Sequence, residues 1–362
     1  MLKFLMMPFV FFVLVGFPTP IGNTVATFSN FVPMVFFILY GFFNLVPDQT
    51  KRYEKLKRGF QRAAKLFAIM FVCYLALNLI FLASTQQLTG EYVASLLHGH
   101  TLFNFLVLNV WPLPVGNGIW FVQSVTYAYL FFLFIEKLKL DKFYLPIMVV
   151  LILFMLASGE FSVLCGFPYF GYLAIPAGAV TRAIPYMLIG MVLRKHVDLL
   201  SKLPRYLYLV FFAVGLAAAV GEFMLLSHWQ KLFYTGHAIG FGVMALSLCC
   251  FVLAKPMKKR NYFTAHGESY SRRMYAFCQP VAFVLWMLTA TLAPYMLGIV
   301  IEFNGLLSLV ICFMIAFLIS SLKKALGEHF VKQLILPHLR LIPDRKRSGS
   351  VKKFFKKTFR RH

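Results

Sequence analysis

Long apolar runs recur from one end of the chain to the other, and short basic stretches separate them. The runs do not alternate apolar and polar residues, as the strands of a transmembrane barrel would. A segment inside the bilayer must satisfy its own backbone hydrogen bonds, so each run predicts a transmembrane helix. The pattern predicts an all-α polytopic membrane protein, a bundle of about ten transmembrane helices, at residues 2–17, 31–46, 66–83, 118–135, 143–157, 178–193, 206–227, 236–253, 274–297 and 303–322.

The basic residues indicate which helix ends face the cytoplasm. With a cytoplasmic N-terminus, every Lys and Arg residue except Arg182 and Lys231 falls on the cytoplasmic side. Because positive residues are retained on that side, both the N-terminus and the C-terminus are predicted to be cytoplasmic. Residues 1–17 are predicted to be an uncleaved helix; the alternative is a signal peptide, although no small-x-small cleavage site follows.

Composition supports a membrane protein over a soluble one. Hydrophobic residues make up 60% of the chain and charged residues only 13%, whereas soluble domains carry about 25% charged residues. The net charge of +24 does not indicate nucleic-acid binding, since the basic residues lie in blocks between the apolar runs. The expected partner is the lipid bilayer, and the expected location is the cell membrane, with multiple passes.

The last part of the chain differs from the rest. We divide the sequence into a transmembrane domain at 1–322 and a basic cytoplasmic tail at 323–362. The tail ends in basic residues interleaved with Phe354, Phe355 and Phe359. Aromatic anchors among cations suit a surface of anionic lipids. The alternative is a disordered tail that only fixes the topology.

Four segments carry a resemblance to a known family. Phe31–Phe43 resembles the "VPLFFFISGFF" helix of the acyltransferase 3 family, and the basic loop that follows it fits as well. Gly118–Ser124 resembles the family's "WFL-x-A-L" helix. Thr181–Gly190 resembles its "R-x-x-x-F-F-L-L-G" helix, and Ser271–Val281 its "I-Y-L-I-H-P-L" helix. The resemblance covers about residues 25–322 in order and spacing.

This resemblance implies a fold and a reaction. Members of the family transfer an acyl group, commonly acetyl, from a cytoplasmic acyl-CoA donor to hydroxyls of extracytoplasmic glycans or lipids. Two positions depart from the family pattern. The first helix lacks the family's Arg and His, and Gln279 stands where the penultimate helix of relatives carries a His. The resemblance therefore supports the fold more strongly than the reaction.

Ionisable residues inside predicted spans are candidates for chemistry, because their insertion into the bilayer is costly. Arg182, Glu222 and His237 all fall near the extracytoplasmic surface. Glu222 and His237 lie equally far from the tip of the hairpin that joins the seventh and eighth spans. We interpret His237 as a general base, Glu222 as the group that orients it, and Arg182 as a clamp for a phosphate or carboxylate. The alternative is a charge cluster that serves structure alone.

Two helix faces are candidates for substrate binding. One face of the fourth span carries Trp120, Gln123 and Tyr127. One face of the ninth carries Tyr275 and Gln279. We expect an acyl carrier near Tyr275 and Gln279, toward the cytoplasmic side. Polar faces of this kind also join helices to one another.

His98 and His100 in the long outer loop are further candidates, as substrate ligands or as a replacement for the missing base. Their spacing lacks a third metal ligand, so we expect no metal.

The sequence as a whole predicts a membrane O-acyltransferase of cell-envelope polysaccharide or lipid-linked sugar. One alternative is a non-catalytic homologue that binds a glycan or a partner protein, which the missing histidines favour. The other is a transporter or flippase of an envelope precursor, which would predict inverted repeats; the sequence has no evident repeat.

Overall fold

A computed structural model describes residues 2–15, 20–107, 109–114, 116, 118–158, 178–230, 238–254, 262–289 and 305–330. Within these ranges every regular element is helical, which confirms the all-α class. The α-helices are α1 Leu2–Leu5, α2 Met7–Val15, α3 Pro20–Ser29, α4 Phe31–Asn44, α5 Gln49–Ser84, α6 Gly90–Leu97, α7 Gly99–Leu106, α8 Ile119–Lys137, α9 Tyr144–Ser158, α10 Ile184–Lys195, α11 Val197–Lys202, α12 Arg205–Gln230, α13 Ala238–Leu253, α14 Tyr262–Met287 and α15 Gly305–Phe330.

Several of these helices are suited to a membrane. Among the described residues, four helical stretches are long and apolar enough to cross a bilayer, namely Thr24–Asn44, Gln49–Ser84, Ile119–Lys137 and Arg205–Leu225. Shorter apolar helices cover Leu2–Val15, Ile239–Leu253 and Val310–Leu322. A membrane-embedded helical protein is therefore the correct class. The count of about ten helices and the location of both termini stay predictions.

Three helices run well beyond their predicted spans. α5 starts at Gln49, so the basic stretch that we interpreted as a loop continues the helix. Asp48 begins it by accepting a hydrogen bond from the Lys51 backbone N–H at 3.1 Å, and the Lys, Arg and Glu residues that follow are good helix formers. α14 begins at Tyr262, and α15 passes residue 322 and ends at Phe330. Apolar length predicts the lipid-facing part of a helix and not its polar extensions.

Glycines allow the closest helix crossings. A Cβ atom on Gly41 of α4 would overlap the Met187 carbonyl of α10, and one on Gly190 of α10 would overlap the Ile38 carbonyl of α4. A Cβ on Gly240 of α13 would likewise overlap Ala219 of α12. Small residues let membrane helices approach until backbone meets backbone. These crossings fix α4, α10, α12 and α13 against one another.

The N-terminal residues are in the core rather than at its edge. Phe11 of α2 is fully buried, and the Lys3 ammonium lies 4.5 Å from the centre of the Tyr40 ring of α4. α3, which the sequence pattern did not predict, leads directly into α4. The first two helices thus pack as one unit against α14 and α15.

The long outer segment folds back into the bundle. Phe105 of α7 stacks on Phe71 of α5 with ring centres 5.8 Å apart. Further along, a Cβ on Gly116 would touch the Tyr74 ring. Tyr74 precedes the end of α5 at Ser84 by about 15 Å of helix. We call the stretch after α7 the re-entrant segment, because it turns back to contact the middle of the apolar part of α5. Its depth in a membrane stays a prediction.

Candidate functional site

The peptide of Gly118, at the start of α8, is held from several sides. Its N–H donates to Gln279 Oε1 at 2.8 Å, and its carbonyl accepts a hydrogen bond from the Tyr275 hydroxyl. Gln279 Nε2 also donates to the carbonyl of Leu14 in α2, at 3.3 Å. The shared face predicted for Tyr275 and Gln279 is thus present, and it joins α2, α8 and α14. We call this cluster the Gly118 site.

The Gly118 site lies in the interior of the bundle. A Cβ on Gly118 would lie 2.9 Å from Gln279 Oε1, so only glycine fits without a shift. A Cβ on the neighbouring Gly116 would touch Tyr74 of α5. Tyr275 and Gln279, where we expect the acyl carrier, are both part of this site; its distance from the cytoplasm stays a prediction.

The polar face of α8 binds the re-entrant segment. Gln123 is 1% exposed, and its Nε2 donates to the Phe105 carbonyl at 2.8 Å and to the Tyr127 hydroxyl at 3.2 Å. Asn109, which sequence reasoning missed, donates to the Trp120 carbonyl at 2.8 Å and to Ser124 Oγ at 2.7 Å. The Gln123 Oε1 atom has no hydrogen-bond partner among the described residues. This face serves structure and leaves one buried acceptor for a ligand or water.

A small apolar cavity adjoins the Gly118 site. It measures about 20 Å³, about the space that one water molecule needs. Its lining comes from α2, α4, α8 and α14, and consists of Val10, Val13, Leu14, Pro33, Phe36, Trp120, Phe121 and Tyr275. Trp120 and Tyr275, predicted separately as substrate ligands, thus face the same small volume.

The predicted outer cluster is only partly described. Glu222 Oε2 accepts a hydrogen bond from the Gly240 backbone N–H at 3.1 Å, so this carboxylate binds the amide end of α13. That contact alone gives Glu222 a structural role. Arg182 is half-buried in a π-helical turn, Ala179–Ala183, just before α10. His237 lies outside the described residues, so the convergence of the three side chains stays a prediction.

The two loop histidines lie at a helix start. His98 Nδ1 accepts the His100 backbone N–H at 3.4 Å, and the His100 ring lies 3.3 Å from Asn104 Nδ2. Both residues are exposed. Their observed partners belong to α7, so the structure does not join them to the Gly118 site.

Sequence reasoning missed a buried ion cluster near the C-terminal end of α8. Arg52 Nε lies 2.5 Å from Glu136 Oε1, and Arg52 Nη2 donates to Glu136 Oε2 at 2.9 Å and to Asp141 Oδ2 at 2.7 Å. The Tyr144 hydroxyl donates to Glu136 Oε1 at 2.6 Å. Burial opposes the charge on Arg52, but the two carboxylates raise its pKa above the usual value.

Beside this cluster lies a group of cations. Burial lowers the pKa of the Lys55 amine, and the nearby charges of Arg194 and Arg58 lower it further. Arg194 also lies 5.2 Å from the centre of the Phe42 ring. Three cations from α5 and α10 thus lie close enough to affect one another at one end of the bundle, where Arg58 is also paired with Glu54. Such a group suits a multiply charged anion.

These features define a helical membrane protein whose bundle holds a buried polar site and, at one end, a group of cations. The family model described as an acyltransferase domain, that of acyltransferase 3, matches residues 2–324. The chain therefore belongs to the acyltransferase 3 family of membrane acyltransferases. Comparisons with curated proteins and with solved structures return no match.

Proposed function

We propose that this protein is a multi-pass cell-membrane O-acyltransferase that modifies cell-envelope polysaccharide. It transfers an acyl group, acetyl by preference, from acyl-CoA to a hydroxyl of an extracytoplasmic glycan or lipid-linked sugar. The observation that carries the proposal is the family match over residues 2–324. The Gly118 site supports it, because it brings the proposed substrate contacts Tyr275 and Gln279 together inside the bundle.

The donor side of the proposal rests on the group of cations. Acyl-CoA carries several phosphate charges, and Lys55, Arg58 and Arg194 together offer multiple donors to such an anion. The donor thioester would then extend toward the Gly118 site. Trp120 and Tyr275 beside the cavity, and Gln123 with its buried acceptor, are the proposed substrate contacts.

The acceptor side needs a general base. In the proposed reaction His237 takes the proton of the acceptor hydroxyl, the oxygen attacks the thioester carbonyl, and the CoA thiolate leaves and is protonated. Glu222 would orient His237, which directly precedes α13 in the sequence; the contact of Glu222 with Gly240 supports a location near that helix start. Arg182 is the proposed clamp on substrate, and His98 or His100 is the replacement base if His237 is dispensable.

A non-catalytic homologue that binds a glycan or partner is the second candidate. Both polar atoms of the Gln279 amide already form hydrogen bonds: Oε1 accepts from the Gly118 N–H, and Nε2 donates to the Leu14 carbonyl. A carboxamide does not act as a base at neutral pH. This observation favours binding without chemistry at the Gly118 site itself.

One experiment separates the two candidates. The full-length protein in lipid nanodiscs is incubated with acetyl-CoA and extracted envelope glycans, and acetylated glycans are measured by mass spectrometry. The enzyme proposal expects product, with a rate that falls about 10²–10⁴-fold in His237→Ala. His196→Ala removes an exposed histidine between α10 and α11 that has no proposed role; it is the matched control and should keep the wild-type rate. Absence of product from the wild type with every envelope acceptor would establish the binding protein instead.

A further inference from the structure

A groove runs along the cytoplasmic end of α9. Its floor is Leu140, Ile147 and Leu151, which pack on the core, and its walls are Phe143, Pro146 and Val150. The groove encloses about 360 Å³ and is lined by these apolar side chains. Val150 is 63% exposed, so the groove opens to the outside of the bundle and not toward the Gly118 site.

Cations stand at one end of this groove. Three exposed lysines lie here: Lys137 ends α8, and Lys139 and Lys142 are in the short connection to α9. The Lys142 ammonium lies 5.1 Å from the centre of the Phe143 ring, which forms a wall of the groove. The positive-inside rule explains why lysines occur here, but it does not explain an apolar groove directly beside them.

The acidic residue of this connection is outnumbered by the lysines. Arg52 pairs with Asp141 at 2.7 Å and also with Glu136, so this cluster of one cation and two carboxylates keeps one net negative charge. The three lysines exceed that charge, so the mouth of the groove stays net positive. From Leu140 to Leu151 the groove extends over about 16 Å, and one leaflet of hydrocarbon measures about 15 Å.

We propose that this groove is a binding site for an anionic phospholipid of the cytoplasmic leaflet. One acyl chain lies along Ile147, Val150 and Leu151, and the headgroup phosphate meets Lys139 and Lys142. A zwitterionic lipid has the same chains but no net charge for the lysines, so the site should prefer an anionic headgroup. The proposal is independent of whether the protein transfers acyl groups.

Native mass spectrometry of the full-length, detergent-solubilised protein tests this site. The probe lipids are phosphatidylglycerol and phosphatidylcholine with identical chains. Wild-type protein should retain phosphatidylglycerol in preference to phosphatidylcholine. The double variant Lys139→Gln, Lys142→Gln should lower that retention at least about tenfold, and Val150→Trp, which fills the groove, should lower retention of the lipid without changing any charge.

Two further variants control for a general loss of charge and for misfolding. Lys202→Gln removes an exposed lysine at the end of α11 and should keep wild-type retention. Phe143→Ala removes one wall of the groove and replaces Val150→Trp if that variant does not fold. Equal retention of the two lipids, wild-type retention in the lysine or the groove variants, or an equal loss in Lys202→Gln would each overturn the proposal.

Discussion

Replacing Glu136 by alanine tests the buried ion cluster most directly. The Glu136 side chain is 0% exposed and is contacted by Arg52 through two nitrogens and by the Tyr144 hydroxyl. Its removal leaves a buried guanidinium whose remaining carboxylate partner, Asp141, is 39% exposed. Breaking a buried pair in this way costs about 3–5 kcal/mol of unfolding free energy. Tyr144→Phe, which removes one hydrogen bond to a charged group, should cost about 1.5–3 kcal/mol.

An exposed ion pair on α5, the helix that carries Arg52, is the matched control. Arg58 Nη2 lies 3.7 Å from Glu54 Oε2, with side chains that are 53% and 65% exposed. Solvent screens such a pair, so Glu54→Ala should cost no more than about 0.5 kcal/mol. Both variants remove one glutamate from the same region, and burial is the main difference between them.

Denaturant unfolding of the detergent-solubilised protein, followed by circular dichroism, measures both costs. A double-mutant cycle with Arg52→Ala should give a coupling energy of about 1–3 kcal/mol, because the two residues share one network. If Glu136→Ala costs less than about 1 kcal/mol, or if the cycle is additive, the cluster does not stabilise the fold and the reasoning fails.

Other predictions concern the donor site, the helix crossings and the topology. The pKa of Lys55 is lowered below the ordinary lysine value of 10.5. As pH rises through this pKa, the amine loses its charge and no longer attracts phosphate, so the affinity for acetyl-CoA should fall. In a binding titration the variant Lys55→Arg should keep the same affinity over this pH range. Gly190→Leu should destabilise the protein by about 1–3 kcal/mol, because the new side chain overlaps α4. Gly221→Leu should not destabilise it, because the space around Gly221 is open. Thermal unfolding measures both effects. Reporter fusions after Lys139 should report the cytoplasm and fusions near His98 the outside; an inverted pair would refute the charge-based topology.

The sequence predicts those parts of the site that depend on spacing within one helix. Residues four apart lie on the same face of a helix, and this rule was enough to pair Tyr275 with Gln279. It also placed Gln123 beside Tyr127, which the structure joins by a hydrogen bond of 3.2 Å. Spacing within one helix, however, does not indicate that Tyr275 and Gln279 meet the peptide of Gly118 at the start of another helix.

Contacts between distant segments could not be predicted in this way. Arg52 and Glu136 are 84 positions apart, and the pattern of charges around each resembles an ordinary basic connection between spans. Only the topology brings α5 beside α8, so the buried pair becomes visible with the fold. Asn109 was missed for a related reason, because the re-entrant segment that carries it has no helical period by which to assign a face.

The contacts of Gln279 change what its departure from the family pattern means. From the sequence, a glutamine in place of histidine reads as the loss of a base. In the structure the Gln279 amide bridges α2 and the start of α8, accepting from Gly118 and donating to Leu14. A neutral imidazole has one donor and one acceptor nitrogen in fixed positions on a rigid ring. It could bond to both Gly118 and Leu14 only if each lay in the direction of the matching ring nitrogen. The glutamine is therefore suited to hold Gly118 in place, and any base for acyl transfer must be a residue other than Gln279.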